Sequence, residues 1–211
     1  MSPGFGAFLR EHLEEVATRT VQHVGLAFGA TLLALILAIP AGIAITRRPG
    51  LERPLLGFVD AVQTIPSLAL FGLLLPLPLL GGIGATPAVV ALVLYALLPI
   101  VRTTVVGIRS VDESVRDAAL GLGMTDAQLL LRVDLPLAAP TIVAGVRVAA
   151  VTSIGTATIA AAIGAGGLGD FVFRGVAVLD NRLILLGAVP AALLALVVDL
   201  VVRIVERRLS R

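Results

Sequence analysis

The 211-residue chain contains no cysteine, no tryptophan and no lysine, and two of these absences exclude a class of function outright. A chain without cysteine forms no disulfide, holds no thiolate-bound metal and has no thiol nucleophile. A chain without lysine has no Walker A phosphate loop, because the lysine of that loop contacts the β- and γ-phosphates of the nucleotide. ATP binding of that kind is therefore excluded for this chain.

Charged residues are also scarce. They make up 14% of the chain, against about 25% in an ordinary globular protein. Hydrophobic residues make up 58%, and the mean hydropathy is +1.05. This surplus falls in runs near or above the roughly 18 residues that cross a bilayer as a helix. The composition therefore predicts an all-α membrane protein that is embedded in a lipid bilayer.

Five apolar segments predict about five transmembrane helices in a single domain, residues 1–211. The segments are residues 25–45, 55–80, 88–108, 138–163 and 183–204. The second segment contains Pro66, Pro76 and Pro78, and proline breaks the hydrogen-bond ladder of a helix. We therefore expect an irregular second span that ends in a turn at residues 80–82.

The distribution of arginine predicts the orientation of the spans. Ten arginines lie in residues 47–53, 109–132 and 203–211, whereas four lie in the N-terminal segment and the loop before the fifth span. Basic loops are enriched on the cytoplasmic side of a membrane. The count predicts a multi-pass protein of the cell inner membrane, with its N-terminus outside and its C-terminus in the cytoplasm.

The sequence offers little for a metal or a nucleic acid. Its two histidines, His12 and His23, both precede the first apolar segment and are expected on the surface. A zinc site needs three or four protein ligands, so no metal site is predicted, and no cofactor either. The net charge of +2 comes from arginines that flank apolar runs, so nucleic acid is not expected as a partner.

One loop, residues 110–136, differs from the rest of the chain. In its first half, apolar and mostly small side chains share one helical face. The residues of that face are Val115, Ala118, Ala119 and Leu122. Gly121 and Gly123 can end that helix, and Thr125 can begin a second short helix that runs to residues 135–136. The loop could be a plain connector, but small side chains at this spacing favour a helix that docks into another protein.

The same loop resembles a known motif. Asp117-Ala118-Ala119, three residues, Gly123, nine residues and then Val133-Asp134-Leu135-Pro136 is similar to the EAA loop of binding-protein-dependent ABC transporter permeases. Asp replaces the usual Glu, and Val replaces the usual Ile. The resemblance implies a type I ABC importer permease fold whose cytoplasmic coupling helix sits in a cleft of a separate ATPase subunit. The ATPase-coupling residues that it implies are Asp117, Ala118, Ala119, Gly123, Val133, Leu135 and Pro136.

The resemblance also implies the partners. A permease of this kind is not itself an enzyme, and it works with two ATPase subunits. A second permease subunit, identical or related, and an extracytoplasmic substrate-binding protein complete the importer. The sequence leaves open whether the permease pair is made of identical chains.

Further segments resemble a narrower group, the glycine betaine, carnitine and choline permeases. These segments are residues 62–70, 94–102, 154–158, 163–170 and 173–175. The resemblance implies an osmoprotectant substrate, and an importer for methionine or another amino acid is the nearest alternative. Quaternary ammonium groups bind in aromatic cages, and the chain has one tyrosine and seven phenylalanines. We therefore expect the external binding protein, rather than the permease, to recognise the substrate tightly.

Polar residues within the spans are candidates for the translocation path. The candidate residues are Gln63, Thr64, Pro66, Ser67, Ser153, Thr156 and Arg147. Serine and threonine can equally join helices to one another. Arg147 can face a cavity or a partner, or its side chain can extend to the cytoplasmic side. A self-contained secondary transporter is a distant alternative, because it needs ion-coupling carboxylates at mid-membrane. The acidic residues near spans, Asp60 and Asp199, lie towards the predicted cytoplasmic ends.

Overall fold

The computed structural model describes residues 5–80 and 82–210, and all the regular secondary structure in these residues is helical. Gly81 of the expected turn and Arg211 of the basic tail lie outside the described residues. The α-helices are α1 (Phe5–Glu11), α2 (Leu13–Arg47), α3 (Glu52–Thr64), α4 (Ser67–Leu74), α5 (Ala85–Arg109), α6 (Glu113–Gly121), α7 (Asp126–Leu129), α8 (Leu135–Ala160), α9 (Gly169–Val178) and α10 (Asn181–Leu209).

The described helices confirm the prediction of about five spans. Four are long and apolar enough to cross a membrane, namely α2, α5, α10 and the continuous stretch of residues 126–163 that contains α8. The fifth is a bent pair, in which α3 and α4 meet at an angle of 103°. Ile65 is extended at the bend, as expected for a residue before proline, and Pro66 precedes the first residue of α4.

Two helix boundaries differ from the sequence-based prediction, the start of α2 and the end of α7. Helix α2 begins at Leu13, twelve residues before the apolar run, because its polar first turns continue the same helix beyond the hydrophobic segment. The second short helix was expected to end at residues 135–136, and this is wrong. Helix α7 passes through a π-helical turn, Leu130–Asp134, directly into α8. Pro136 lies in the first turn of α8 and has no N–H to donate to the π-helical turn before it.

The core lies between α2, α5 and α8, and much of it is built from alanine. The buried alanines in these helices include Ala27, Ala30, Ala34, Ala38, Ala88, Ala91, Ala96, Ala138, Ala149, Ala150 and Ala157. Small side chains let membrane helices approach closely, so van der Waals contact holds the spans together where lipid gives no hydrophobic driving force. The three helices form the frame that positions the loops at both ends.

Ion pairs and hydrogen bonds sort the loops into two ends. At the end that we call the arginine end (residues 47–53 and 109–135), Arg109 pairs with Glu52 at 2.8 Å. At the end that we call the glycine end (residues 15–23 and 163–174), Arg19 pairs with Asp170 at 2.6 Å. Gly84 N–H donates to the Ile163 carbonyl at 3.0 Å, which adds the loop before α5 to the glycine end. Loops that the arginine count assigns to one side of the membrane are therefore neighbours in the fold.

Candidate docking helix and translocation path

Helix α6 is short and has a defined start and end. The Asp112 carboxylate caps its N-terminus by accepting a hydrogen bond from Ser114 N–H at 2.8 Å, and hydrogen bonds from Ser114 lower the pKa of Asp112. The helix ends at Gly121, and Gly123 follows with a φ of 82°, a conformation that favours glycine. The predicted short helix with a glycine break is confirmed.

The side chains of α6 mostly point away from the rest of the chain. Ala119 is buried, whereas Asp117 and Ala118 are exposed. Val115 is 42% exposed and Leu122 is 82% exposed. The apolar face expected from the sequence is therefore divided, with Ala119 packed inward and the other three side chains available. A helix in contact with its own chain at so few positions has a surface free for a partner.

The second half of the motif lies where α7 leads into α8. Thr125 and Gln128 form a capping box, in which each side chain bonds the backbone N–H of the other residue. Val133 and Leu135 are half-buried and Pro136 is exposed. These residues connect the loop to a membrane span, and they are not part of the exposed surface of α6.

Asp134, the variable position of the motif, is a functional candidate that the sequence did not single out. Its side chain is 3% exposed. Its Oδ1 accepts from Arg116 Nε at 2.9 Å, and its Oδ2 lies 3.5 Å from Arg47 Nη2. Arg116 also donates to the Ile108 carbonyl. The carboxylate therefore joins α6, the end of α2 and the start of α8.

The candidate path residues on the second span lie beside α5. Gln63 Nε2 donates to the Tyr95 carbonyl at 2.9 Å, and Tyr95 Oη donates to the Ile65 carbonyl at the bend. The second bond occupies the Ile65 carbonyl, which the break at Pro66 leaves without a helical partner. Gln63 and Thr64 are exposed and Ser67 is half-buried. These residues therefore lie on either side of the bend, close together along the chain.

An ion pair also joins α3 to α5, nearer the arginine end. Arg102 Nη2 bonds Asp60 Oδ1 at 2.7 Å, and the two side chains are 55% and 43% exposed. The two residues are 42 positions apart, so their contact was not visible in the sequence. Two charged side chains inside spans remain accessible at the surface of this chain.

The remaining path candidates lie elsewhere. Ser153 and Thr156 are buried within the chain and do not reach the face of α3 and α5. Arg147 lies on α8 and pairs with two carboxylates of α10, Asp199 at 3.0 Å and Glu206 at 3.2 Å. Asp199 also pairs with Arg203, so charged side chains join α8 to α10, and within this chain Arg147 faces partners of opposite charge.

The prediction of two surface histidines is wrong for His23. Its side chain is fully buried, because α2 extends past the apolar run and packs residue 23 between α8 and the glycine-rich loop. Leu168 N–H donates to Nδ1 at 3.3 Å, so Nε2 carries the proton and donates to the Ile154 carbonyl at 3.0 Å. No group of three or more potential metal ligands occurs among the residues that the structure describes.

The described residues form a helical membrane domain with an exposed, capped helix between two of its spans. Residues 30–211 match the family described as "Binding-protein-dependent transport system inner membrane component". The chain belongs to this family.

Curated relatives cover nearly the whole chain. The carnitine transport permease protein OpuCB of Listeria monocytogenes is 41% identical over 96% of this chain and 92% of its own length. The choline transport system permease protein OpuBB of Bacillus subtilis is 40% identical over the same shares. The osmoprotectant import permease protein OsmW of Salmonella typhimurium is 44% identical over 91% of this chain and 90% of its own length.

Solved structures confirm the fold. A chain of the MetNI methionine ABC transporter in an inward-facing conformation superposes with a TM-score of 0.83, at 23% identity, over 93% of this chain and 97% of that one. A chain of an amino acid ABC transporter crystallised with histidines superposes with a TM-score of 0.77 at 20% identity, over 99% of this chain and all of that one. The fold is that of a type I ABC importer permease.

Proposed function

We propose that this chain is the membrane-spanning subunit of an ATP-driven importer for glycine betaine, carnitine, choline or a related osmoprotectant. The observation that carries the proposal is the exposed helix α6, whose residues match the coupling motif at the expected spacing and whose Asp117 and Ala118 are exposed. The substrate group follows from relatives at 39–44% identity, all named for these solutes or for osmoprotectants as a class. The methionine and amino acid transporters are more distant and support the fold alone.

In this proposal α6 docks into a separate ATPase subunit. The chain itself hydrolyses no nucleotide, and two ATPases act on a pair of permease subunits. Asp117 and Ala118 lie on the docking surface, and Gly123 ends it. Val133, Leu135 and Pro136 connect that surface to α8. ATP binding closes the ATPases, the docking helices move, and the spans alternate between outward and inward access.

The translocation path runs along the face shared by α3 and α5. Charged side chains inside a membrane cost about 2.5 to 3.5 kcal/mol on insertion scales, and they face a partner or a water-filled cavity. Asp60 and Arg102 are both more than 40% exposed on this face, and Gln63 and Thr64 are exposed beside them. We therefore place water and the second permease subunit against this face. Ser153, Thr156 and Arg147 join the path only in a state that separates α8 from its neighbours.

Tight substrate recognition belongs to an extracytoplasmic binding protein. Within this chain, aromatic residues make up 4% of the composition, which is too few for a cage around a quaternary ammonium group. Calorimetry on the purified permease should therefore show weak or no binding of betaine or choline. A micromolar or tighter dissociation constant without a binding protein would contradict this division of labour.

The arginine end faces the cytoplasm in this proposal, so the N-terminus is outside and the C-terminus inside. The chain lacks cysteine, and single cysteines can be placed at Ser114 on α6 and at Leu179, which is 88% exposed near the glycine end. In intact cells an impermeant thiol reagent should label Leu179→Cys and spare Ser114→Cys. The reverse pattern would invert the orientation.

Reconstituted uptake tests the function itself. The permease, purified with the ATPase and binding-protein subunits that accompany it, is placed in proteoliposomes and given radiolabelled betaine, carnitine, choline, methionine and histidine. ATP-dependent accumulation of the first three supports the proposal. Accumulation of methionine or histidine alone moves the assignment to amino acids, and uptake without any ATPase overturns it in favour of a secondary transporter.

A further inference from the structure

Few contacts hold α6 against the spans. Along the helix, Ala119 is the buried apolar side chain, and Val115, Ala118 and Leu120 are exposed. A partner that pushes on α6 therefore moves the spans only through whatever fixes the helix to them. Apolar contact at one alanine resists sliding poorly, because dispersion contacts have little directionality.

The side chain of Arg116 connects α6 to the spans. Its Nε–H donates to Asp134 Oδ1 at 2.9 Å, and its Nη2 donates to the Ile108 carbonyl at the end of α5. The guanidinium group is planar and rigid, so bonds from two of its nitrogens fix both its position and its orientation. Helix α6 is thereby held at a defined angle to α5 and to the start of α8.

A second arginine, Arg47 at the end of α2, also contacts Asp134. Arg47 Nη2 lies 3.5 Å from Asp134 Oδ2 and donates to the Asp126 carbonyl of α7 at 3.3 Å. The Asp134 side chain is 3% exposed, whereas those of Arg116 and Arg47 are 28% and 37% exposed. One buried carboxylate therefore lies where three spans and the docking helix meet.

A buried ion pair is weak evidence for stability, because desolvation of the charges offsets much of their attraction. Removal of one member is costly, since the other members keep their charge without a partner. A contact of this kind holds a specific geometry better than it adds stability. The ion pairs of Asp134 with Arg116 and Arg47 are therefore suited to holding α6 in one orientation.

We infer that Asp134 is the positioning residue that makes α6 and the start of α8 move as one body, so that displacement of the docking helix reaches the spans. The inference rests on the proposed function, because it takes α6 as the surface that the ATPase moves. Asp134 contacts neither substrate nor nucleotide and acts through Arg116 and Arg47.

The test compares Asp134→Asn with a matched control, Asp126→Asn, which makes the same chemical change at an exposed position of the same loop. The first readout needs no partner. Spin labels on cysteines at Ser114 on α6 and Leu137 on α8 report the distance between the two helices. The original chain and Asp126→Asn should give one narrow distribution, and Asp134→Asn should broaden it.

The second readout separates coupling from assembly. In proteoliposomes with the accompanying subunits, Asp134→Asn should keep the ATPase bound and still hydrolyse ATP, while uptake per ATP falls at least tenfold. Asp134→Glu, which keeps the charge, should recover most of the uptake. If Asp134→Asn does not fold, Arg116→Gln removes the ion pair between α6 and Asp134 and leaves Asp134 paired with Arg47.

The outcomes are distinguishable. A narrow spin-label distribution in the Asp134 or Arg116 variant, or uptake per ATP equal to that of Asp126→Asn, overturns the positioning role while the importer function stands. An original chain that binds no ATPase and imports nothing overturns the proposed function, and the transmission role with it.

Discussion

The two ends of the molecule hold their loops in different ways. At the arginine end, charged side chains connect the loop to the spans, and α6 stays exposed. At the glycine end, the loop packs into the core, where Leu168 is fully buried and bonded to the buried ring of His23. The first arrangement leaves a surface available and fixes only its orientation. The second buries the middle of the loop, residues 167–169, within the chain.

The glycines show the same contrast. A Cβ on Gly169 would lie 2.7 Å from Ala161 Cβ and even closer to the Thr158 carbonyl oxygen, whereas a Cβ on Gly121 or Gly123 would have nothing within 4 Å. Glycine at one end permits close packing, and at the other end it shapes an exposed loop. Substitutions at Gly169 and at Gly123 should therefore fail for different reasons, folding in the first case and coupling in the second.

The largest effect is expected for Gly169→Val. The added side chain overlaps the backbone of the α8 region, and overpacking of a close interior costs about 1–3 kcal/mol or more. The variant should give little folded protein, measured as the monodisperse fraction in detergent by size-exclusion chromatography. Gly121→Val at the exposed end is the control, and it should elute as the original chain does. Equal yields of both variants would abolish the contrast.

A smaller effect is expected for His23→Leu. The leucine keeps most of the volume but leaves Leu168 N–H without an acceptor in the interior, at a cost of about 1–3 kcal/mol. The thermal unfolding midpoint should fall by several degrees. His12→Leu is the matched control, because that ring lies at a half-buried position and bonds the nearby Phe8 carbonyl at 2.9 Å. A greater loss in His12→Leu would mean that the ring of His23 does not hold the glycine end.

The smallest effect concerns the cap of α6. Hydrogen bonds from Ser114 hold the pKa of Asp112 below its usual 3.8, so the charged cap contributes fully above that pH and is lost only as the pH falls through the lowered pKa. A spin label at Glu113 should keep the same mobility from pH 7 to pH 5. A marked gain in mobility within that range would show that Asp112 does not cap the helix as described.

Different kinds of information explain what the sequence predicted. Apolar runs determine the spans locally, and Pro66 marks the break in the second span. The number of spans and the position of the break could therefore be predicted from the sequence. The spacing around Ala118 and Gly123 likewise indicated α6. Continuity of α7 with α8 was missed, because a π-helical turn has no clear pattern in a single sequence.

The tertiary partners could not be predicted from one sequence. His23 bonds Ile154 and Leu168, which lie 131 and 145 positions further along the chain. Arg47 bonds Asp134, which lies 87 positions further along. No local pattern encodes such pairs, because they depend on how α2 packs against α8. The anchoring of both ends therefore emerged only from the fold.

A comparison of two glycines tests the central claim most directly. Gly123 and Gly82 have nearly equal φ angles, 82° and 79°, and a Cβ on either has nothing within 4 Å, so valine imposes a matched backbone strain at opposite ends. ATP-driven uptake and ATPase co-purification are measured for Gly123→Val and Gly82→Val. We expect both variants to fold, and Gly123→Val alone to lose ATPase association or uptake. Wild-type uptake by Gly123→Val with its ATPase still bound would contradict the docking assignment and return residues 110–136 to the status of a plain connector.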